Sequence, residues 1–227
     1  MQKNVEKMTI NYSPNFDIKK RDKNKIKYLI YHYTGMKNDK IAIKKLTSLN
    51  SNVSCHYYIT ESGKIIQMVP DLYIAWHAGK SNWGNHKSLN YKSIGIEISN
   101  PGHQYGYKEF TDNQIKCLIK LSKLIIKKYN IKKNKILGHS DIAPLRKIDP
   151  GEKFPWKLLS RKKIGIWHKV NSNILKSSRG KKSELNLNKF IIYLKKLGYH
   201  MKYSNPKELK KIIKIFQMRF RPEIIDG

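Results

Sequence analysis

The chain has 227 residues, 39% of them hydrophobic and 11% aromatic, which is enough for one packed domain plus a small appendage and excludes wholesale disorder. Its 47 lysines and arginines against 16 acidic residues give a formal charge of +31, which attracts polyanions such as anionic envelope polymers and carboxylate-bearing peptides. No apolar run reaches the length of a membrane span, and the basic residues are spread along the chain without a nucleic-acid-binding signature.

Residues 1–24 are polar, lack the apolar core of a secretory leader, and read as an N-terminal extension that wraps the domain or frays. Either the protein acts in the cytoplasm, or a leader has been removed. From Ile26 to Tyr33 the run is aromatic and β-branched, which predicts a largely buried strand. Asp39 to Ser48 has helical spacing. Cys55 has no CxxC partner, and neither does Cys117, so no disulfide framework or cysteine zinc knuckle is expected. The apolar runs Tyr57–Thr60 and Ile65–Val69 flank Glu61-Ser62-Gly63-Lys64 and predict a hairpin with Gly63 in the turn. Ser93 to Ser99 alternates strictly. Ile94, Ile96 and Ile98 share one face, and Gly95, Glu97 and Ser99 the other.

Thr111-Asp112-Asn113-Gln114 is a capping box that opens a helix to about Tyr129, with Leu118, Leu121, Ile125 and Ile126 as its apolar face and Cys117 as a buried thiol. This order of elements predicts an α/β (α+β) fold over residues 25–160, a mixed central sheet flanked by helices. Residues 161–182 read as a linker. Residues 183–227 hold two helices: Ser183 to Leu197, stopped at Gly198, and a second opened by Asn205-Pro206-Lys207-Glu208 and running to about Arg219. Two such helices bury little alone, so this tail leans on the first domain or stops short of a third helix.

Chemistry concentrates between Gly138 and Gly151, where two prolines and two glycines exclude one regular element across the segment. An ordered loop of this length is generally functional, and His139, Lys147 and Asp149 mark it as part of a metal or hydrolytic site. A catalytic zinc takes three protein ligands and keeps a position for water. His32, at the end of a predicted core strand, joins His139 and Asp149 in a histidine, histidine, carboxylate set that suits zinc. Glu97 lies on the polar side of an otherwise apolar strand. A carboxylate there is costly unless paired or functional, which makes it a candidate general base. Lys147, two residues before Asp149, could hold a tetrahedral oxyanion. Singly, each has an ordinary alternative: a hydrogen-bonded core histidine, a glutamate paired with lysine, a solvated lysine.

Five motifs stand in order: Tyr31-His32-Tyr33-Thr34, Ser54-Cys55-His56-Tyr57, Ala75-Trp76-His77-Ala78-Gly79, Ser93-Ile94-Gly95-Ile96-Glu97, and His139-Ser140-Asp141-Ile142-Ala143-Pro144 with Arg146-Lys147 and Asp149-Pro150-Gly151. This succession resembles the zinc N-acetylmuramoyl-L-alanine amidases related to AmpD and the peptidoglycan recognition proteins. Leu197-Gly198-Tyr199 and Phe216-Gln217-Met218-Arg219-Phe220-Arg221-Pro222 are similar to the AmiD-like branch, which carries a small helical peptidoglycan-binding-like module. The resemblance spans about residues 25–227.

The resemblance implies one zinc ion on His32, His139 and Asp149, with Glu97 as catalytic glutamate and Lys147 as the lysine that stabilises the transition state. His77 and His56 would shape the substrate groove or hold loops, and Asn100 would face the groove. The implied reaction is hydrolysis of the amide between N-acetylmuramic acid, or its anhydro form, and L-alanine of the stem peptide, in wall turnover or recycling. Peptidoglycan or soluble muropeptides are then the partners, with no specific nucleic acid and a monomer as the starting expectation. An AmiD-like protein is expected in the envelope or periplasm. Two departures from the pattern are the missing leader and a C-terminal module that reads as truncated before its last helix. The rivals are a non-catalytic peptidoglycan-binding protein, a class that typically lacks a zinc ligand, and a zinc peptidase, for which no His-x-His or His-Glu-x-x-His pair is present.

Overall fold

In the computed structural model, which describes residues 8–171, 173–174, 177, 186–200 and 205–227, the buried run Tyr28–Tyr33 (β3) lies between two parallel neighbours. These are Ser93–Ile98 (β9) and Ile136–Gly138 (β10). Beyond β9 come Tyr57–Ile59 (β4), Ile65–Gln67 (β5) and Thr9–Ile10 (β1), completing a six-stranded sheet in the order β1-β5-β4-β9-β3-β10. Only β5 runs antiparallel to its partner β4, as the expected hairpin with Gly63 at positive φ in its turn, so the sheet is mixed. Two short ladders lie outside it: Phe16–Asp17 (β2) with Ile74–Ala75 (β6), and Asn82–Trp83 (β7) with His86–Lys87 (β8).

Helices cover both faces. Asp112–Tyr129 (α2) starts at the predicted Thr111–Gln114 capping box and packs its Leu118, Leu121 and Ile125 on Leu29, Tyr31, Ile94, Ile96 and Ile98. Asp39–Leu46 (α1) is capped by the Asn38 side chain and, with Tyr58 and Met68, forms a smaller cluster that also buries Cys55. His139–Ile142 (α3) is a single turn at the end of β10, and Trp156–Arg161 (α4) follows the chemistry-rich loop. Ile164 is buried in the same core, and Trp167 packs on it, so the packed unit continues past residue 160 into the expected linker.

Both ends of the chain pack on the domain, the first of the two alternatives read for each: a wrapping extension and a tail that leans on the first domain. Residues 8–24 are part of the domain: β1 adds a sheet edge, and the Arg21 guanidinium is buried. At the other end, Leu187–Leu197 (α5) and Pro206–Phe220 (α6) share one apolar core with the sheet. Tyr28, Ile30, Leu137 and Ile142 meet Leu194, Tyr199, Ile212, Ile215 and Met218 there. Full burial of each such side chain contributes about 1.5–3 kcal/mol. Asn186 caps α5, and the anticipated start at Ser183 lies outside the described residues. Gly198 ends α5 as its sequence position predicts, while Asn205 and Pro206 open α6.

A buried ion pair fastens α6 to the catalytic side. The Arg219 guanidinium pairs with the Asp141 carboxylate on α3, donates to the Ile136 carbonyl at 3.0 Å, and stacks over the Trp156 ring at 4.0 Å. Asp141 also accepts from the Tyr199 hydroxyl at 2.6 Å and the Gly138 amide at 2.8 Å. Removing one partner of a buried pair leaves the other charge uncompensated. Arg219→Met is therefore expected to lower stability by about 3–5 kcal/mol, read as the urea-unfolding free energy; an unchanged midpoint would contradict the clamp.

Candidate active site

Strand register assembles the first part of the site. On β3 and β9 the pairs are Tyr28 with Ser93, Ile30 with Gly95, and His32 with Glu97. Period-two alternation then puts all six residues on one face, while Ile94, Ile96 and Ile98 turn to the α2 core. His32 and Glu97 are thus side by side, about 4.8 Å apart along the hydrogen-bonding direction. On the opposite flank of β3, β10 ends at Gly138 and His139 begins α3. A Cβ at Gly138 would lie 2.6 Å from Pro150, so the loop can return tightly past this point only over bare backbone. The return is closed by the Ser140 amide, which donates to the Asp149 carbonyl at 2.8 Å.

The outcome is a buried triad. His32 Nδ1 lies 3.0 Å from His139 Nδ1 and 3.1 Å from Asp149 Oδ2, and His139 Nδ1 is 3.1 Å from that same oxygen. Burial and the neighbouring His139 push the His32 imidazole down to about 4, so it is neutral at physiological pH. Burial alone would raise the Asp149 carboxyl, but the charges and hydrogen bonds of His139 and His32 hold it well below the usual carboxylate range. Two imidazoles and a carboxylate that converge in this way fit a small divalent cation. Donors in a tetrahedral shell with bonds of about 2.0–2.1 Å stand about 3.3 Å apart. Among the described residues, this is the one group of three histidine, cysteine or acidic side chains that converges so closely.

The triad opens into a cleft of about 320 Å³ whose walls include Tyr33, Met36, Trp76, Lys45, Arg146 and Lys147, with Glu97 at its floor. Glu97 is only half-buried as a residue, yet its Oε2 is sealed from solvent without a hydrogen-bond partner. Burial, reinforced by the Asp149 charge, raises its carboxyl well above the usual range, against an opposing pull from Lys147. A carboxylate raised in this way takes a proton more readily than an ordinary glutamate does. Lys147 lines the same cleft, with its backbone amide tied to the Ala143 carbonyl at 2.9 Å.

Of the three anticipated groove residues, His56 and Asn100 are internal and His77 reaches the cleft wall. His56 has no exposed surface. It accepts from the Gly95 amide at 3.0 Å and meets Arg21 at 2.9 Å, so it braces β9 from behind. Asn100 is also buried. Its amide donates to the Lys108 carbonyl and its oxygen accepts from the Gly102 amide, which shapes the loop that carries Tyr107 to the Pro150 carbonyl. His77 borders the cleft, but both of its ring nitrogens have protein partners, His32 and Ser93. Sequence reasoning passed over Arg21, Ser93 and Asp141. Arg21 sits in a featureless polar stretch with no local signal. Arg219 carried one, a charge on the apolar stripe of α6, and it points to Asp141.

Residues 22–152 match the family described as N-acetylmuramoyl-L-alanine amidase. The chain is 37% identical over 217 residues, 89% of its length and 78% of the relative's, to the N-acetylmuramoyl-L-alanine amidase AmiD of Escherichia coli. The solved complex of Escherichia coli AmiD with the substrate anhydro-N-acetylmuramic acid-L-Ala-D-gamma-Glu-L-Lys matches with a TM-score of 0.80 at 35% identity, covering 89% of this chain and 83% of that one. AmpDH3 from Pseudomonas aeruginosa, in complex with an anhydromuramic pentapeptide, matches with a TM-score of 0.79 at 28% identity, covering 97% and 92%.

The unpartnered Glu97 oxygen has a cost in stability. Because its folded-state pKa is raised, the folded state disfavours the ionised form, and the penalty grows as pH rises from about 4.3 through the raised value. Glu97→Gln is expected to melt a few degrees higher than wild type at pH 7 in metal-free protein, where about 2–4 °C corresponds to 1 kcal/mol. Below pH 4 the difference should vanish; a lower melting temperature at pH 7 would refute the burial penalty.

Proposed function

This chain belongs to the N-acetylmuramoyl-L-alanine amidase family, and from that premise we propose that His32, His139 and Asp149 hold one zinc ion while Glu97 and Lys147 carry out the proton and charge handling of amide hydrolysis. The observation that carries the reading is the convergence of three buried donor atoms within 3.0–3.1 Å of one another, in the cleft that holds an unpartnered glutamate oxygen. The bond cleaved is the amide between the lactyl group of N-acetylmuramic acid, or its anhydro form, and L-alanine of the stem peptide.

Zinc bound there supplies a Lewis acid for the carbonyl and a water of lowered pKa. Glu97 takes the proton of the attacking water, since its desolvated carboxylate gains from neutralisation. The same carboxyl then returns the proton to the departing α-amine of L-alanine. Lys147 lines the cleft with an ammonium that can face the oxygen on which negative charge develops. Burial of His32, His139 and Asp149 keeps water from competing for these groups.

Substrate choice follows from the walls. Lys45, Arg146 and Lys147 suit a peptide with free carboxylates, such as the γ-linked glutamate of the anhydromuropeptide seen with Escherichia coli AmiD. The similarity to AmiD and the charge of +31 favour action in the envelope, on recycled or wall-derived muropeptides. Among the described residues no helix is long and apolar enough to cross a membrane. Since α5 and α6 share a core with the sheet, they act here as part of the catalytic body.

Incubation with anhydromuropeptides and, separately, with sacculi should release free stem peptides by mass spectrometry. A chelator should stop the release and added zinc restore it. Glu97→Gln is expected to lower kcat by about 10²–10⁴ with zinc content unchanged, and Lys147→Met by about 10²–10³. Undiminished release by His139→Ala or Asp149→Ala would rule out the metal assignment.

A further inference from the structure

The outer nitrogens of the two histidines of the triad both meet one short segment, His77–Ala78, and the direction of the hydrogen bonds that lead to His32 can be worked out. The starting point is the Leu89 carbonyl, which can only accept. Ser93 Oγ lies 2.7 Å from it and therefore donates its proton there. That hydroxyl is then left to accept from His77 Nε2, 3.0 Å away, so His77 carries its proton on Nε2 and presents a bare Nδ1. His32 Nε2 lies 3.0 Å from that bare nitrogen and must be the donor, which leaves His32 Nδ1 unprotonated at the centre of the triad. Next door, His139 Nε2 sits 3.2 Å from the Ala78 carbonyl, an acceptor only, and 3.3 Å from the Arg146 guanidinium, a donor only, so its two neighbours call for opposite tautomers and the direction is fixed at His32 alone.

The segment itself is pinned. Asn90 Oδ1 accepts from the amides of His77 and Ala78, at 3.2 and 2.7 Å. Arg146 donates to the Ala78 carbonyl at 2.9 Å and to the Lys80 carbonyl at 2.9 Å. Below the His77 ring the backbone of β9 is bare: a Cβ at Gly95 would lie 2.4 Å from His77 Cγ. Every residue on the polar face of β9 thus has a part. Ser93 orients His77, Gly95 makes room for its ring, and Glu97 stands beside His32.

We infer that His77 is the positioning residue of the metal centre: its ring, oriented by Ser93, holds His32 in the tautomer that turns a bare Nδ1 toward the cation. This rests on the proposal that His32, His139 and Asp149 bind zinc. His77 acts through His32, whose outer nitrogen it meets. Losing such an outer partner typically weakens metal binding 10–100-fold.

The test uses the full chain, stripped of metal and titrated with zinc against a chelator of known affinity. His77→Phe keeps a ring over Gly95 but removes the acceptor, and is expected to weaken the zinc Kd by about 10–100-fold. His77→Asn can offer a carboxamide oxygen to His32 Nε2 and should recover most of that loss. Imidazole nitrogen NMR of the metal-free wild type should show His32 with its proton on Nε2, whereas Ser93→Ala should give a mixture of tautomers. Wild-type zinc affinity in His77→Phe, or a wild-type His32 protonated on Nδ1, would overturn the inference. The NMR readout on wild type needs no variant, so a misfolded His77→Phe does not spare the idea. If wild type itself takes up no zinc, the metal assignment falls first and this inference with it; normal wild-type uptake with an unaffected His77→Phe sinks the inference alone.

Discussion

The parallel register of β10, β3 and β9 is the constraint from which the rest of the site follows. It sets His32 beside Glu97 and delivers His139 one residue beyond the end of β10. A one-residue slip of β3 would turn His32 into the apolar layer under α2 and put Tyr31 in its place. The slip is resisted from both sides, because Leu29 and Tyr31 fill one core and Tyr28 and Ile30 another. Hydrophobic patterning on two faces therefore fixes the position of a polar group that it does not itself include.

Around this frame, charged residues are buried to hold backbone in place. Arg21 is one case: its guanidinium donates to the carbonyls of Asp71, Asn90, Tyr91 and Ser93. Those carbonyls surround the turn that carries Leu89, Asn90 and Ser93, so an arm from the start of the chain stabilises the residues that orient His77. Burial lowers the arginine to about 10, and it is charged at any physiological pH. Arg219 does the corresponding work from the other end, by satisfying Asp141 under the turn that begins with His139. Both terminal segments thus act on the catalytic centre at one remove.

Stability and chemistry pull in opposite directions at two points. Three acceptors pressed together, and a glutamate oxygen with no partner, each disfavour folding in the absence of what they are built to hold. The surrounding cores supply the compensation, and the C-terminal helices contribute a large share of one of them. Their loss would expose Tyr28 and Ile30, on the same sheet face as His32. This gives a physical reason for the helices to be present that is separate from any contact with the cell wall.

A good part of this was legible in the linear chain. The strand at Tyr28–Tyr33, the hairpin, the capped helix from Asp112 and both C-terminal caps follow from local periodicity and capping chemistry, which are properties of neighbouring residues. His139, Lys147 and Asp149 stood out in a loop too rich in glycine and proline for regular structure, while His32 and Glu97, on two strands, were joined to them chiefly by the family resemblance of the five motifs. The parts played by His56, Asn100, His77, Arg21 and Arg219 were decided only by the tertiary structure. Each works through a partner far along the chain: Arg21 with Asp71 and Ser93, His77 with His32, Arg219 with Asp141. Nothing in local spacing encodes which carbonyl or carboxylate a buried donor will meet; that is set when strands from distant parts of the sequence pair in one register.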